Sequence, residues 1–145
     1  MFINEVLPAP TAVDWDGDGT ANEIDEWIEL VNIGDGKVKV SGWSVVSGEQ
    51  VYVLPRGFEL EPGGFLVLFR AGTGIDLDDS GGQIQLLDSK DRLQDGMSYP
   101  VLPADASYSR DKFGEWHSDW PPSPGHPNWP NEPELQALPH EPTVR

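Results

Sequence analysis

The residues with the clearest chemical potential lie between Asp14 and Glu26. They read Asp14-Trp15-Asp16-Gly17-Asp18-Gly19-Thr20-Ala21-Asn22-Glu23-Ile24-Asp25-Glu26, which fits the pattern D-x-D-x-D-G-x-x-N-x-x-D. A hard cation such as Ca²⁺ takes about 6–8 oxygen ligands, and a loop can supply them from positions 1, 3, 5, 7, 9 and 12. Asp14, Asp16 and Asp18 fall at positions 1, 3 and 5, and Gly19 at position 6, where the turn needs a residue tolerant of positive φ. Thr20 would offer its backbone carbonyl at position 7, and Asn22 stands at position 9, directly or through water. Asp25 takes position 12, where glutamate is usual because its longer reach allows two oxygens to bind. Glu26 stands beside it as a further candidate ligand or outer support, as do Glu5 and Glu29, which lie in strands and could instead hydrogen-bond backbone or a serine network. The pattern predicts one bound Ca²⁺; Mg²⁺ fits less well because it demands strict octahedral geometry and keeps its waters.

The charge distribution supports the same reading. The chain has 145 residues and a formal charge of −16, yet Met1 to Gly36 holds nine acids and no Lys or Arg. Carboxylates at that density repel one another, and folding them together is costly unless a cation intervenes. The plainer reading of the run is a solvated acidic loop. The overall negative charge disfavours nucleic-acid and anionic-membrane partners, which reward Lys and Arg on one face. No apolar run approaches the length of a membrane span. There are no cysteines, which removes disulfides, thiolate metal sites and a thiol nucleophile. An extracellular location stays open, since Ca²⁺ can replace disulfides as a staple. No signal peptide opens the chain, and strand-like sequence from Phe2 onward suggests that Met1 begins a domain excised from a longer protein.

Other chemistry is weakly represented. His117, His126 and His140 all lie late and at spacings unlike those of metal ligands on one element. No Gly-x-Ser-x-Gly elbow is present, and carboxylates are too abundant for any pair to single out acid–base catalysis. The chain therefore reads as a non-enzyme. Trp15, Trp116, Trp120 and Trp129 are candidate surface aromatics, and Trp116 with Trp120 could form a platform for sugar rings. The competing reading has them pin the end of the chain onto the body. Trp27 and Trp43 read as core residues.

The elements that must position these residues are strands. Phe2–Leu7 before the acidic loop and Trp27–Ile33 after it are rich in β-branched and aromatic residues, so the loop joins two strands and lacks the flanking helices of an EF-hand. A site with no movable helix pair has nothing to open and is structural. Further strands are predicted at 37–40, 43–46, 50–54, 65–69, 83–87, 92–95, 96–101, 106–110 and 115–117. The unbroken apolar run Phe65–Phe69 predicts burial on both faces. Gly63-Gly64 and Gly81-Gly82 mark turns, and Arg110 is expected to pair with a carboxylate such as Asp95. Short strands with regular turn signals indicate a sandwich or barrel. From Pro121 to Arg145 there are eight prolines, which excludes helix and central strand. The division is a body over 1–129, with the loop at 14–26, and an extended Pro-rich tail or linker over 130–145. Trp120 and Trp129 suggest that the first part of the Pro-rich segment is docked, while the part after Pro130 reads as free.

Taken in order, several segments resemble a known family. They are Ile3-Asn4-Glu5-Val6, Asp25–Asn32, Val40-Ser41-Gly42-Trp43, Leu60–Leu68, Ser80–Asp88, Asp95-Gly96 with Tyr99, Ser109-Arg110, Gly114-Glu115-Trp116 and Pro122–Asn128. The chain resembles a lamin tail domain of the bacterial, secreted type over residues 2 to 129, with the acidic loop inserted after the first strand. The resemblance implies an all-β, immunoglobulin-like β-sandwich. It also implies a non-catalytic accessory domain of larger secreted or surface proteins. The expectation is an extracellular or cell-surface bacterial module, structural or adhesive, stabilised by one Ca²⁺. Alternatives are an accessory domain that binds carbohydrate or another surface ligand, with an unidentified protein or glycan partner, and a subunit of a self-assembling surface polymer.

Overall fold

In the computed structural model, residues 1–130 and 143–144 are described. The chain forms β1 (Phe2–Leu7), β2 (Trp27–Val31), β3 (Val38–Lys39), β4 (Ser44–Ser47), β5 (Gln50–Val53), β6 (Glu59–Leu60), β7 (Phe65–Phe69), a single helical turn α1 (Arg70–Thr73), β8 (Gly82–Leu87), β9 (Leu93–Tyr99), β10 (Tyr108–Arg110), β11 (Trp116–His117) and β12 (Thr143–Val144). One sheet has the order β11-β10-β1-β2-β7-β12 and the other β5-β4-β8-β9, with β3 and β6 paired separately. The two stretches read as strands at 92–95 and 96–101 are one strand, β9, continuous across Gly96 in its pairing with β8. β3 falls within the strand expected at 37–40, whereas its partner β6 and the turn α1 are too short to carry a periodic signal.

Alternation decides which side chains fill the space between the sheets. Ile3, Val6, Ile28, Leu30, Leu66 and Leu68 point in from the first sheet, and Val45, Ile84, Leu86, Met97 and Tyr99 meet them from the second in one buried cluster. This is the immunoglobulin-like sandwich that the resemblance implies; the strand pattern alone left a barrel open. Trp43 packs against that cluster, while Trp27 lies on the opposite face of the first sheet, in a smaller cluster with Leu7, Val67 and Phe69. Every residue of β2 and β7 is buried, because the outer face of the first sheet is covered as well.

Part of that cover is the segment from Pro121 to Trp129, which runs across the outer face as a strap. Its turn Ser123-Pro124-Gly125-His126 is closed by His126 N–H donating to the Ser123 carbonyl at 3.0 Å, with Gly125 at φ +82°. Proline followed by a left-handed glycine is the chemistry of a type II turn. The docking of this first part of the Pro-rich segment agrees with expectation, but its anchors do not. Trp129 is 58% exposed, and the anchors are polar groups described below. Of the tail predicted from residue 130 on, Thr143–Val144 pairs parallel with β7 and so sits at the sheet edge; the rest lies outside the described residues. No helix among the described residues is long and apolar enough to cross a membrane.

Candidate metal centre and its supports

The loop between β1 and β2 folds around its own carboxylates. Asp14 accepts three backbone N–H bonds, from Gly17 (3.0 Å) and Asp18 (3.2 Å) on Oδ1 and from Gly19 (2.8 Å) on Oδ2. Gly19 reaches its place with φ +93°, as position 6 demands. Asp16 Oδ1 accepts from Asp18 N–H and Asp18 Oδ1 from Thr20 N–H. The chain then turns through a short 3-10 segment, Glu23–Asp25, with a reciprocal cap: Asn22 Oδ1 accepts from Ile24 N–H and Asp25 Oδ2 from Asn22 N–H. Asn22 thus uses its side-chain oxygen on the turn, and its contribution is to hold Asp25 in place.

Asp14, Asp16, Asp18 and Asp25 each bring a carboxylate oxygen within 4.8 Å of the others. Asp16 and Asp25 are buried at 3% and 0% exposure. Burial pushes the Asp16 carboxyl up to about 6, with the neighbouring Asp25 and Asp14 adding to the rise against the Asp18 N–H. Burial also pulls Asp14 upward, but the N–H groups of Gly19, Asp18 and Gly17 outweigh it and hold that carboxyl below its ordinary value. Asp25 Oδ1 is fully buried and has no hydrogen-bond partner. A buried carboxylate oxygen without a donor is costly, on the order of several kcal/mol if charged. Such an oxygen, facing three further carboxylates, is a coordination site in its chemistry.

The loop is tied to the body by Asp105, a residue at φ +56° whose carboxylate accepts from Thr11 N–H, Ala12 N–H and Trp15 Nε1–H at 3.0, 2.9 and 3.1 Å. Trp15, read as a candidate surface aromatic, packs edge-on against Trp27 with ring centres 6.2 Å apart. It is the peg that fixes the loop to the outer face of the first sheet.

The three glutamates named beside the loop have other tasks. Glu5 is wholly buried and accepts from Ser107 Oγ (2.6 Å), Ser109 Oγ (3.2 Å), Ser123 N–H and Ser123 Oγ (both 3.0 Å). Burial pushes its carboxyl up to about 7 even against those donors. Its cross-strand neighbour Glu29 accepts from Gly125 N–H at 2.6 Å and from Asn4 Nδ2 at 2.9 Å. Glu5 and Glu29 therefore hold the strap. Glu26 points away from the loop, toward Leu77 N–H and Arg70. The side chain of Asn128 completes the strap by donating to the carbonyls of Asn4 (2.8 Å) and Arg110 (2.7 Å). The expected ion pair of Arg110 with Asp95 is present at 3.1 Å.

Trp116 and Trp120 form no common platform. Trp116 stacks on Tyr108 at 5.2 Å and packs against the main core. Trp120 stacks on His117 at 4.0 Å. Adjacent residues of a strand face opposite ways, so Trp116 and the His117–Trp120 pair lie on opposite faces of the sheet.

The lamin tail domain family model matches residues 1–100, more than half of the chain. The chain belongs to the lamin tail domain family. No curated protein and no solved structure matches it. The family match is shorter than the resemblance over 2–129: β10, β11 and the strap lie beyond it, although Ser107 just before β10, Ser109 within it and Ser123 of the strap complete the bonding of Glu5 on β1. The acidic loop falls inside the matched part of this lamin tail domain. A second group with metal-binding atoms lies outside it, at the β10–β11 turn: Asp111, Glu115 and His117. There His117 Nε2 pairs with Asp111 Oδ2 at 2.8 Å, and Asp111 Oδ1 accepts from Phe113 and Glu115 N–H. Sequence reading set His117 aside because its partners are carboxylates, which spacing between histidines does not register.

Proposed function

We propose that this lamin tail domain is a non-catalytic structural or adhesive module of a bacterial extracellular or cell-surface protein, stapled by one Ca²⁺. Asp14, Asp16, Asp18 and Asp25 supply carboxylates, the Thr20 carbonyl completes the set, and Asn22 holds the turn that carries Asp25. The observation that carries this reading is Asp25 Oδ1, buried without a donor amid three other carboxylates. The all-oxygen donor set selects a hard cation, and a flexible loop of this length suits Ca²⁺ better than Mg²⁺. Extracellular calcium, near the millimolar range, would load even a weak site. The bacterial assignment rests on the resemblance of the segments quoted above. The absence of a shared Trp116–Trp120 face gives a glycan-stacking role no support.

Thermal melting tests the staple. At a free Ca²⁺ concentration about 100 times the Kd, the ion stabilises by about 2.7 kcal/mol. For a domain of this size that amounts to a rise of roughly 8–10 °C in Tm. The rise is expected in about 2 mM CaCl₂ against EDTA and to be much smaller in MgCl₂. Equal melting in all three conditions would overturn the calcium reading.

A further inference from the structure

The outer faces of the two sheets are finished differently. The strap and the acidic loop cover the first, through Gly125 on Glu29 and Trp15 on Trp27. The second is open: Val51 and Val53 on β5 and Leu93 on β9 are 60%, 58% and 60% exposed. Register places Val51 beside Val46, Val53 beside Ser44 and Leu93 beside Leu87. All of these lie on the side away from the core residues Val45, Ile84 and Leu86. A water-facing sheet ordinarily carries polar and charged side chains, and an edge strand such as β5 ordinarily carries a charge or a proline. Here the four strands hold a single charged residue, Asp95, and it turns inward to Ile3 N–H at 2.8 Å and Arg110 at 3.1 Å. A chain of formal charge −16 thus presents one sheet face with no charge on it.

The two ends of that face carry opposite charge. Glu49 stands in the β4–β5 turn. At the same end the Gln50 side chain holds the backbone of Asp76 by two hydrogen bonds of 2.7 Å, which sets the exposed Asp76, Asp78 and Asp79 alongside. At the other end the β8–β9 turn carries Lys90 and Arg92, and Arg56 follows β5, all exposed. The acids of that turn are Asp88 and Asp91, and Asp88 is taken up by Arg92 at 2.9 Å.

Two molecules of this charge repel wherever their acidic surfaces meet. The uncharged face lets two copies approach without that repulsion. A two-fold axis in the plane of contact, running across the strands, sets the acidic end of each copy against the basic end of the other. We propose that the outer face of the β5-β4-β8-β9 sheet is the interface of a homodimer, packed face to face. A basic partner is drawn to the acidic surfaces elsewhere, whereas a second copy matches both the apolar middle and the two ends. Four strands about 4.8 Å apart and about 17 Å long give a face of about 20 by 17 Å. Two such faces bury on the order of 1,000 Å², the low end of specific interfaces, so the dimer forms and dissociates with concentration. None of the proposed calcium ligands lies on these strands, so the dimer stands apart from the metal reading.

Sedimentation equilibrium of the full chain from about 10 to about 500 µM tests this. The weight-average mass should climb from the monomer's 16.0 kDa toward twice that value. Val51→Lys/Leu93→Lys puts two charges into the face and should weaken dimerisation at least about tenfold. Phe113→Lys, at a ring 82% exposed elsewhere, should leave it within about twofold. Glu49→Lys/Asp79→Lys, confined to exposed positions at the acidic end, should weaken it about threefold or more by setting like charges together across the two-fold. Both doubles make the chain less negative, so relief of general repulsion would tighten association in each; tightening by either overturns the arrangement. Equal weakening by the face double and by Phe113→Lys overturns it too. A mass that stays at 16.0 kDa across the range would give the face to a different occupant and overturn the dimer. Running the series in about 2 mM CaCl₂ and again in EDTA keeps the result readable if the metal site fails.

Discussion

At the scale of single residues, the molecule places buried carboxylates where backbone or serine donors meet them, and each such group makes a distinct demand. Glu5 is wholly enclosed. Its folded carboxyl sits at about 7, above the ordinary 4.5, because burial outweighs four hydrogen bonds. The native chain therefore holds this proton more tightly than the unfolded chain does. The stability it contributes is fully present below about pH 4.5 and is lost as pH rises through about 7, a change of up to about 3 kcal/mol. Urea denaturation in EDTA at about pH 5.5 and about pH 8 should show that loss, and Glu5→Gln should flatten the slope; an unchanged slope in the variant would place the titration elsewhere. The Asp14–Asp25 set was legible in the sequence because its chemistry is a matter of local spacing. The roles of Glu5, Glu29 and Glu26 were not, although a serine network for Glu5 was an open alternative. Glu5 meets Ser123 across 118 positions of sequence, Glu29 meets Gly125 across 96, and Glu26 meets Leu77 across 51. No local pattern encodes those meetings.

Among the elements, the strands were the easiest to read, since alternation and Gly or Pro punctuation decide them locally. Phe65–Phe69 is buried throughout, as its unbroken apolar run predicts. Parity within a strand accounts for the failed aromatic platform: Trp116 and His117 share β11 and so must part to opposite faces. The strap was legible as an extended, docked piece but not in its means of attachment, because tryptophans suggest burial more loudly than an asparagine does. Asn128 holds two backbone carbonyls, of Asn4 in β1 and Arg110 in β10. Asn128→Ala leaves both short of a donor and should cost about 2 kcal/mol in urea denaturation. Trp129→Ala, at an exposed ring, should stay within about 0.5 kcal/mol. A reversed order would mean that the strap is held by its aromatics after all.

For the whole molecule, charge is the governing quantity. The formal charge is −16, and more than half of it lies before Lys37. Self-repulsion at this level opposes the compact state and is screened by salt. Raising NaCl from about 0.05 to about 0.5 M should lift the melting temperature of the EDTA-treated protein by about 3 °C or more, with a smaller gain once Ca²⁺ is bound. An equal gain in both states would mean that the loop contributes little of the strain. The strap also bears on how the module would carry a mechanical load. Its polar clamps follow one another along the chain: Asn128 on Asn4, Gly125 on Glu29, Ser123 on Glu5. A pull on Trp129 away from β1 reaches them one at a time, as a zipper, not together, as a rivet. Releasing the nine residues from Pro121 to Trp129 frees a segment whose fully extended length is roughly 30 Å, and the slack gained is the part of that length the docked strap does not already span, while the core between the sheets stays closed. A domain so built can yield to tension by a fixed length before its fold is put at risk.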